Sequence, residues 1–123
     1  SIPLVKEYQR LMDRYQPSVP SHLRDPSYKP SKYSFVSLEG FLNAKVLVEI
    51  LKKAPKKITR KNFFQTLENQ RSINVGLGTN LSYSKKRHQG SDTVFFTTPV
   101  KGAYKKLTNW EPFRKVKRHI GRK

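Results

Sequence analysis

The sequence contains no cysteine and has 8 acidic residues against 26 Lys and Arg, a formal net charge of +18 over 123 residues. The missing cysteines exclude disulfides, thiolate nucleophiles and thiolate zinc sites, but they do not fix the cellular compartment. No run of about 18 apolar residues occurs, so no segment is expected to span a membrane. The first three residues, Ser-Ile-Pro, lead into a helix pattern and do not resemble a secretory signal peptide.

Apolar residues are also scarce, at 35% of the chain when Tyr is counted and Gly is not. The usual reference count includes Gly and leaves out Tyr, and because the chain has six of each, the value on that count is the same. Average globular proteins have about 45–50% on this count. The length fits one domain that buries roughly two-thirds of its unfolded surface. The sequence therefore predicts a thin hydrophobic core.

The positive charge is concentrated in the last part of the chain, with +3 in residues 1–36, +4 in 37–70 and +11 in 71–123. Such clusters are typical of proteins that bind nucleic acid, anionic lipid or an acidic partner, and also of solvated surfaces in basic proteins. The alternative function is therefore that of a small basic nucleic-acid-binding protein. The aromatic residues are expected mainly on apolar faces, which makes nucleic acid the less favoured partner. Candidate contacts are Lys85, Lys86, Arg87, Arg114, Lys115, Lys117 and Arg118.

Hydrophobic periodicity predicts three helices, over residues 3–16, 37–54 and 60–69. Pro3 fits a first helical turn, and Ser37 and Thr59 are the expected N-caps of the second and third helices. Residues 17–32 contain four prolines and predict a long irregular loop. In the third helix, Phe63 is expected to pack under Ile58, and Phe64 and Leu67 are expected to continue the same inward face.

The second predicted helix is apolar over most of its circumference. One broad face is expected from Phe41, Ala44, Leu47, Val48, Leu51 and Ala54, and it is widened by Leu38, Leu42, Val46 and Ile50. A helix of this kind must be covered on more than one side.

After Arg71 the apolar period changes to two, which predicts short strands around Ile73–Leu77 and Leu81–Ser84. The best strand is residues 93–98, followed by a turn at 99–102 and a hairpin partner at 103–107. No segment is a continuous apolar strand of the buried parallel type. Either a small antiparallel sheet covers the helices, or, as we favour, the covering sheet belongs to residues outside this chain.

The residues that carry chemistry form no catalytic pattern. His22, His88 and His119 are far apart, which argues against a metal site. No nucleophile-elbow pattern occurs. The glycines of Gly76–Gly78 are followed by a strand-like segment, so they are not expected to hold a dinucleotide phosphate. The sequence predicts no enzyme and no cofactor.

A candidate binding site lies where the second helix begins. Aromatic and hydroxyl side chains near a helix N-terminus suit a small ligand with an apolar body and a carboxylate. The alternative is that Phe35 and Phe41 are ordinary core residues, whereas Tyr33 stands among polar neighbours. The candidate ligand-binding residues are Tyr33, Ser34, Phe35, Ser37 and Glu39.

The order of motifs over residues 2–107 resembles the leucine/isoleucine/valine-binding type of periplasmic solute-binding protein. The lead helix corresponds to residues 3–8, and the Glu-Gly helix of the family to residues 37–45. Its next helix corresponds to residues 59–61 and 67–68. Its closing strands and last hairpin are similar to Gly76, Gly78, residues 81–84, 88–90, 93–95 and 101–104.

The resemblance implies an α/β fold, as the C-terminal portion of a two-lobed type I periplasmic-binding-protein fold with parallel sheets flanked by helices. Residues 1–89 would be part of the first lobe, 90–107 a hinge crossing and hairpin to the second lobe, and 108–123 a basic tail. It implies a non-enzymatic receptor for an amino acid or similar solute, in the periplasm or outside the cytoplasm, for ABC-type uptake or sensing. Tyr33 would pack on the ligand. The implied partners are a small-molecule ligand, the remainder of the parent polypeptide or an oligomeric partner, and a membrane permease.

Overall fold

The computed structural model describes residues 2–114, and the chain divides into two compact units between Ser91 and Asp92. In the first unit, helix α1 spans Pro3–Tyr15, a short 3₁₀ turn spans Ser21–Leu23, helix α2 spans Phe35–Lys53 and helix α3 spans Arg60–Glu68. In the second unit, strands β1 (Thr97–Val100) and β2 (Ala103–Lys106) precede the short helix α4 (Glu111–Arg114). The three predicted long helices are all present.

Helix α1 begins with Pro3 in its first turn, where a missing N–H costs nothing. It ends at Tyr15 because Gln16 adopts a left-handed conformation and donates its backbone N–H to the Met12 carbonyl at 3.0 Å. Leu4 and Tyr8 are the buried residues of its apolar stripe.

Helix α2 begins two residues earlier than predicted, and its N-cap is Ser34 instead of Ser37. Ser34 has an extended backbone, and its Oγ accepts a hydrogen bond from the Ser37 backbone N–H at 3.1 Å. Ser37 is therefore the third helical residue, whose N–H needs an acceptor, and it is not the residue that supplies one.

Helix α3 has the predicted N-cap. Thr59 accepts a hydrogen bond from the Asn62 backbone N–H, while the Asn62 side chain accepts one from the Thr59 N–H, which forms a complete capping box. Phe63 and Leu67 pack against the core as expected, but Phe64 is exposed.

The core of the first unit joins α2 to the segment after α3. Val46 and Ile50 on α2 are buried together with Ile73, Val75 and Leu81. The predicted strands in this region are reduced to an antiparallel bridge between Ile73 and Leu81, with backbone hydrogen bonds of 2.8 and 3.0 Å. Gly76 and Gly78 have positive φ, and this interrupts the extended geometry that a ladder requires.

The orientation of α2 differs from the predicted one. Val46 and Ile50 face the core, whereas Leu47, Val48 and Leu51 of the expected broad inner face are exposed. Because the helix is apolar on most sides, its sequence pattern does not indicate which side faces the core.

The second unit contains a two-stranded antiparallel hairpin in which Thr97 pairs with Lys106 and Val100 with Ala103. β2 lies where predicted, but Thr93–Phe96 are not in a strand, and Pro99 belongs to β1 and not to the turn. Lys101 and Gly102 both have positive φ, as a tight type I′ hairpin turn requires. Among the helices of residues 2–114, none is both long and apolar enough to cross a membrane.

Candidate functional site

Hydroxyl groups from α1 and α2 meet at the start of α2. The Tyr8 ring is buried, and its OH accepts a hydrogen bond from the Ser34 N–H at 3.1 Å and lies 2.6 Å from the Ser37 Oγ. The two serine Oγ atoms are 2.9 Å apart. This network fixes the first turn of α2 against the middle of α1.

A second polar contact joins the end of α1 to the residues before α2. The Tyr33 OH donates to Asp13 Oδ1 at 2.5 Å, and Lys32 Nζ lies 2.7 Å from the same oxygen. The Tyr33 ring meets the Tyr8 ring edge-on with 6.1 Å between centroids, so both tyrosines hold the segment before α2.

The charges in this contact shift one another's ionisation. Hydrogen bonds from Lys32 and then Tyr33 lower the pKa of the Asp13 carboxyl. The bond to Asp13 raises the pKa of the Lys32 ammonium and also that of the Tyr33 hydroxyl. At neutral pH the arrangement is an ion pair with a neutral tyrosine.

Next to this network lies a cleft of about 540 Å³ between the end of α1, the proline-rich loop and the start of α2. A second hollow of about 390 Å³ adjoins it within the loop. The cleft combines apolar and hydroxyl side chains, a lining that suits a small amphipathic molecule. It is lined by Met12, Gln16, Pro17, Ser18, Val19, Tyr28, Pro30, Ser31, Lys32, Ser34 and Ser37.

The structure places the five candidate ligand-binding residues in different surroundings. Ser34 and Ser37 line the cleft. Tyr33 lies beside it and is 40% exposed, with its hydroxyl directed at Asp13. Phe35 is 56% exposed and Glu39 is exposed, and neither lines the cleft.

Sequence reasoning missed the contribution of α1 and of the loop. The sequence pattern predicts only a helix at Met12 and an irregular loop at Tyr28 and Lys32. The long loop itself was the available signal, because a connection of this length in a compact domain is often functional. No local pattern indicates that Met12 would face it.

The basic candidates lie in two parts of the chain. Lys85, Lys86 and Arg87 are exposed in a tight turn closed by backbone hydrogen bonds between Ser84 and Arg87 of 2.9 and 3.1 Å. Arg114 is in the second unit and pairs with Glu111 at 2.8 Å. Lys115, Lys117 and Arg118 are outside the described residues.

Exposed aromatic rings are more numerous than the sequence indicated. The expectation that they lie mainly on apolar faces is wrong for Tyr15, Tyr28, Phe35, Phe64, Phe96, Tyr104 and Trp110, all of which are exposed. Within residues 2–114, no group of three His, Asp or Glu side chains could hold a metal ion.

The similarity found by comparison with known proteins is to a solved structure. No protein-family description matches the chain, and no curated protein matches it. A solved structure from Rhodopirellula baltica SH 1, described as that of a "possible leucine/isoleucine/valine-binding protein", is similar with 29% identity and a TM-score of 0.66. The match covers 90% of this chain and 27% of that chain. This chain therefore resembles a fragment of a periplasmic-binding-protein fold and spans about a quarter of its neighbour's length.

Proposed function

We propose that these residues are part of a non-enzymatic receptor that binds an amino acid or a similar small amphipathic solute. The observation that carries this proposal is the structural match to a protein described as a possible leucine/isoleucine/valine-binding protein, at 29% identity. The proposed location is periplasmic or otherwise outside the cytoplasm. The proposed role is delivery of the solute to an ABC-type membrane permease, or sensing.

The proposed arrangement is that of two lobes closing on the solute. Residues 1–89 would belong to the first lobe, residues 90–107 would form a crossing and hairpin to the second, and residues 108–123 would form a basic tail. The remainder of the polypeptide would supply the rest of the site. We include Tyr33, Ser34, Phe35, Ser37 and Glu39 in the solute-facing region because they surround the start of α2.

The cleft supports this proposal by its chemistry. Ser34 and Ser37 present hydroxyl groups at the N-terminus of α2, where the helix dipole favours an anionic group such as a carboxylate. Met12, Val19 and Tyr28 offer apolar surface for the body of the solute. Both parts of an amphipathic acid therefore find complementary groups.

The direct test is thermal-shift screening of the complete gene product that contains these residues, against amino acids and small organic acids. A ligand present at about 100 times its Kd stabilises a folded protein by about 2.7 kcal/mol, which shifts the melting temperature measurably. We expect stabilisation by at least one compound. A folded protein that none of them stabilises would contradict the proposal.

A serine variant tests the position of the site. Ser37→Ala keeps the Ser34 cap but removes a hydroxyl from the cleft, so it is expected to weaken binding of the stabilising compound about tenfold or more. Ser72→Ala is the matched control, because Ser72 is exposed and does not line the cleft. Equal affinities of the two variants would place the solute elsewhere.

A second candidate function rests on the turn that presents Lys85, Lys86 and Arg87 side by side on the surface. Such a cluster could contact the phosphates of a nucleic acid. Titration with duplex and single-stranded oligonucleotides at two salt concentrations distinguishes this candidate. Tight binding that falls steeply with salt, and is lost when the three residues are replaced by Gln, would favour it over solute binding.

A further inference from the structure

The densest positive charge among residues 2–114 lies between the last turn of α2 and the first turn of α3. Residues 52–61 contain six Lys and Arg and no acidic residue. The net charge of +4 over residues 37–70 conceals this cluster, because the three acidic residues of that segment lie outside it. Such a cluster either stabilises the helices beside it or faces a partner.

Two of the six cations stabilise α2. Lys52 and Lys53 are in its last turn, where the helix dipole favours positive charge. Lys52 pairs with Glu49 at 2.7 Å, and Lys53 donates to the Gln70 side chain, also at 2.7 Å. These two residues are therefore explained by the structure of α2 itself.

The other four cations do not stabilise α3. Arg60 and Lys61 are its first two residues, and its first turn has no acidic residue, although the helix dipole disfavours positive charge at this end. Lys56 and Lys57 precede the helix in the loop. Among residues 2–114, neither of them nor Lys61 forms a salt bridge. An anion outside the described residues would offset the cost of these charges.

Two apolar side chains are exposed among these cations. At 100° per residue, Arg60, Phe64 and Lys61 fall within one sector of about 100° on α3. Phe64 is 40% exposed, and Ile58 in the loop is 54% exposed. The Arg60 guanidinium lies over the Phe64 ring, 5.8 Å from its centroid. We define the α3 patch as Lys56, Lys57, Ile58, Arg60, Lys61 and Phe64.

The α3 patch is built on an ordered helix start. The capping box closes the first turn, and the Asn62 side-chain amide donates to the Lys57 carbonyl at 2.6 Å, which holds the loop against the helix. Glu68 falls in the same sector of α3 one turn further along. It is partly buried, and His88 Nε2 lies 3.6 Å from its carboxylate. The exposed part of this face is therefore positively charged.

We propose that the α3 patch binds the surface of an anionic phospholipid bilayer. Each Lys or Arg close to such a surface strengthens binding about fivefold, and apolar side chains between the cations enter the headgroup region. The net charge of +18 lies mostly outside the patch, which favours an extended anionic surface over a local acidic site on a protein. This inference goes beyond the proposed function and does not depend on a solute.

Other partners fit these side chains less well. Polypeptide outside residues 1–123 could bury the patch only with a matching set of acidic groups, because Lys and Arg are almost never buried unpaired. A single-stranded nucleic acid needs an aromatic face for base stacking, and Arg60 already lies over the Phe64 ring. The aliphatic Ile58 gives a base no stacking surface, whereas it suits the boundary between headgroups and acyl chains.

The test is flotation of the complete gene product with vesicles of phosphatidylcholine, either alone or mixed with phosphatidylglycerol. We expect binding to the anionic vesicles only, and weaker binding at about 300 mM than at about 50 mM NaCl because salt screens the charges. The triple variant Lys57→Gln, Arg60→Gln, Lys61→Gln is expected to bind the anionic vesicles about a hundredfold more weakly.

The matched control removes the same number and kinds of charge elsewhere, from three exposed residues, in the variant Lys6→Gln, Arg10→Gln, Lys29→Gln. Its loss of binding should be less than about fivefold. Equal losses in the two triple variants, or no binding of the folded protein to anionic vesicles, would overturn the proposal. Binding of an oligonucleotide through the patch, without binding of vesicles, would assign the patch to nucleic acid and would also overturn it.

Ile58 gives a second test at constant charge. Ile58→Trp should strengthen binding to anionic vesicles and Ile58→Ser should weaken it, each about threefold or more, because this side chain enters the headgroup region. Unchanged binding in both variants would show attraction by net charge alone and would contradict the assignment to the patch. Solute binding is measured without vesicles, so failure here is distinguishable from failure of the proposed receptor function.

Discussion

Tyr8 shows how one hydroxyl group joins two helices. Its ring is 3% exposed and packs beside Tyr33 and Phe41. Its OH, however, is an acceptor for the Ser34 N–H and a partner of Ser37. The aromatic body contributes to packing, and the hydroxyl fixes the first turn of α2.

The Tyr8→Phe variant is expected to lower the free energy of unfolding by about 1–2 kcal/mol, because it removes these hydrogen bonds and leaves the part-buried Ser34 N–H without its acceptor. Chemical denaturation of the complete gene product measures the change. Tyr15→Phe is the control, since Tyr15 is 67% exposed, and its effect should be near zero. Equal effects of the two substitutions would show that the Tyr8 hydroxyl is not structural.

Gly76 combines a positive φ with a close approach. Its φ is +80°, its carbonyl accepts from the Leu4 N–H at 2.9 Å, and an added Cβ would lie 3.2 Å from the Leu4 nitrogen. Gly78 has a φ of +89° but open space around it. Substitutions at the two glycines therefore distinguish the cost of backbone strain, which both share, from the cost of disturbing the contact with α1, which only Gly76 makes.

Gly78→Ala is expected to cost about 1 kcal/mol, the strain of a left-handed alanine. Gly76→Ala should cost about 1 kcal/mol more, because the start of α1 must also move. Thermal unfolding of both variants measures the difference. If the two variants melted at the same temperature, the docking of α1 on Gly76 would be refuted.

The Asp13 contact predicts a small dependence of stability on pH. The pKa of Asp13 is lowered in the folded state by Lys32 and then Tyr33, so its contribution is present above the unfolded value of about 3.9 and is lost as pH falls through the folded pKa. At the alkaline end, the raised pKa of Tyr33 gives a contribution that is lost as pH rises above about 10. Solvent screening keeps both contributions small.

We expect Asp13→Asn to flatten the fall in melting temperature between about pH 4 and pH 2. The double variant Lys32→Gln, Tyr33→Phe should flatten it equally, because it removes the partners that lower the pKa. Combining all three changes should add nothing further. If the melting temperature of Asp13→Asn fell with pH as steeply as that of the unsubstituted protein, the contribution of the Asp13 contact to stability would be contradicted.

At the scale of elements, the helix ends were largely predictable because their signals are local. Pro3 and the Thr59 cap stand where the sequence indicates. Ser34 and Ser37 are both good caps three residues apart, and only the backbone conformation decides between them. The β1 strand depends on pairing, so its start at Thr97 follows from the turn at Lys101 and not from the apolar run at 93–96.

The N-cap of α2 can be tested by substitutions of Ser34 that keep or remove the side-chain acceptor of the Ser37 N–H. Ser34→Ala is expected to cost about 1 kcal/mol of stability, whereas Ser34→Asp should retain most of the cap. Denaturant titration compares the two variants. Equal losses would show that the side-chain acceptor at position 34 does not stabilise the helix.

Two of the eleven residues that line the cleft were predicted from the sequence. Ser34 and Ser37 follow from the start of α2, since a helix terminus is a local feature. Met12 and Tyr28 enter the cleft only through the packing of α1 and the loop, a tertiary relation without a local signature. The outer face of α2 was also beyond sequence reasoning, because a helix apolar on most sides has no single preferred face.

At the scale of the whole molecule, the small core and the exposed apolar side chains of α2 have one explanation. Seven hydrophobic residues are buried among the described residues, whereas Leu47, Val48 and Leu51 remain exposed on the central helix. A thin core with a large exposed apolar face is typical of a part separated from its cover. We therefore expect residues 1–123 to depend on further polypeptide for stability.

The most direct test of this account is size-exclusion chromatography with circular dichroism on the isolated 123-residue chain. The account predicts association or aggregation through the exposed apolar side chains of α2 and a broad, non-cooperative thermal transition, because Leu47, Val48 and Leu51 are exposed. A compact 14.4 kDa monomer with a sharp cooperative melt would contradict it. That result would show that the chain is an autonomous basic domain.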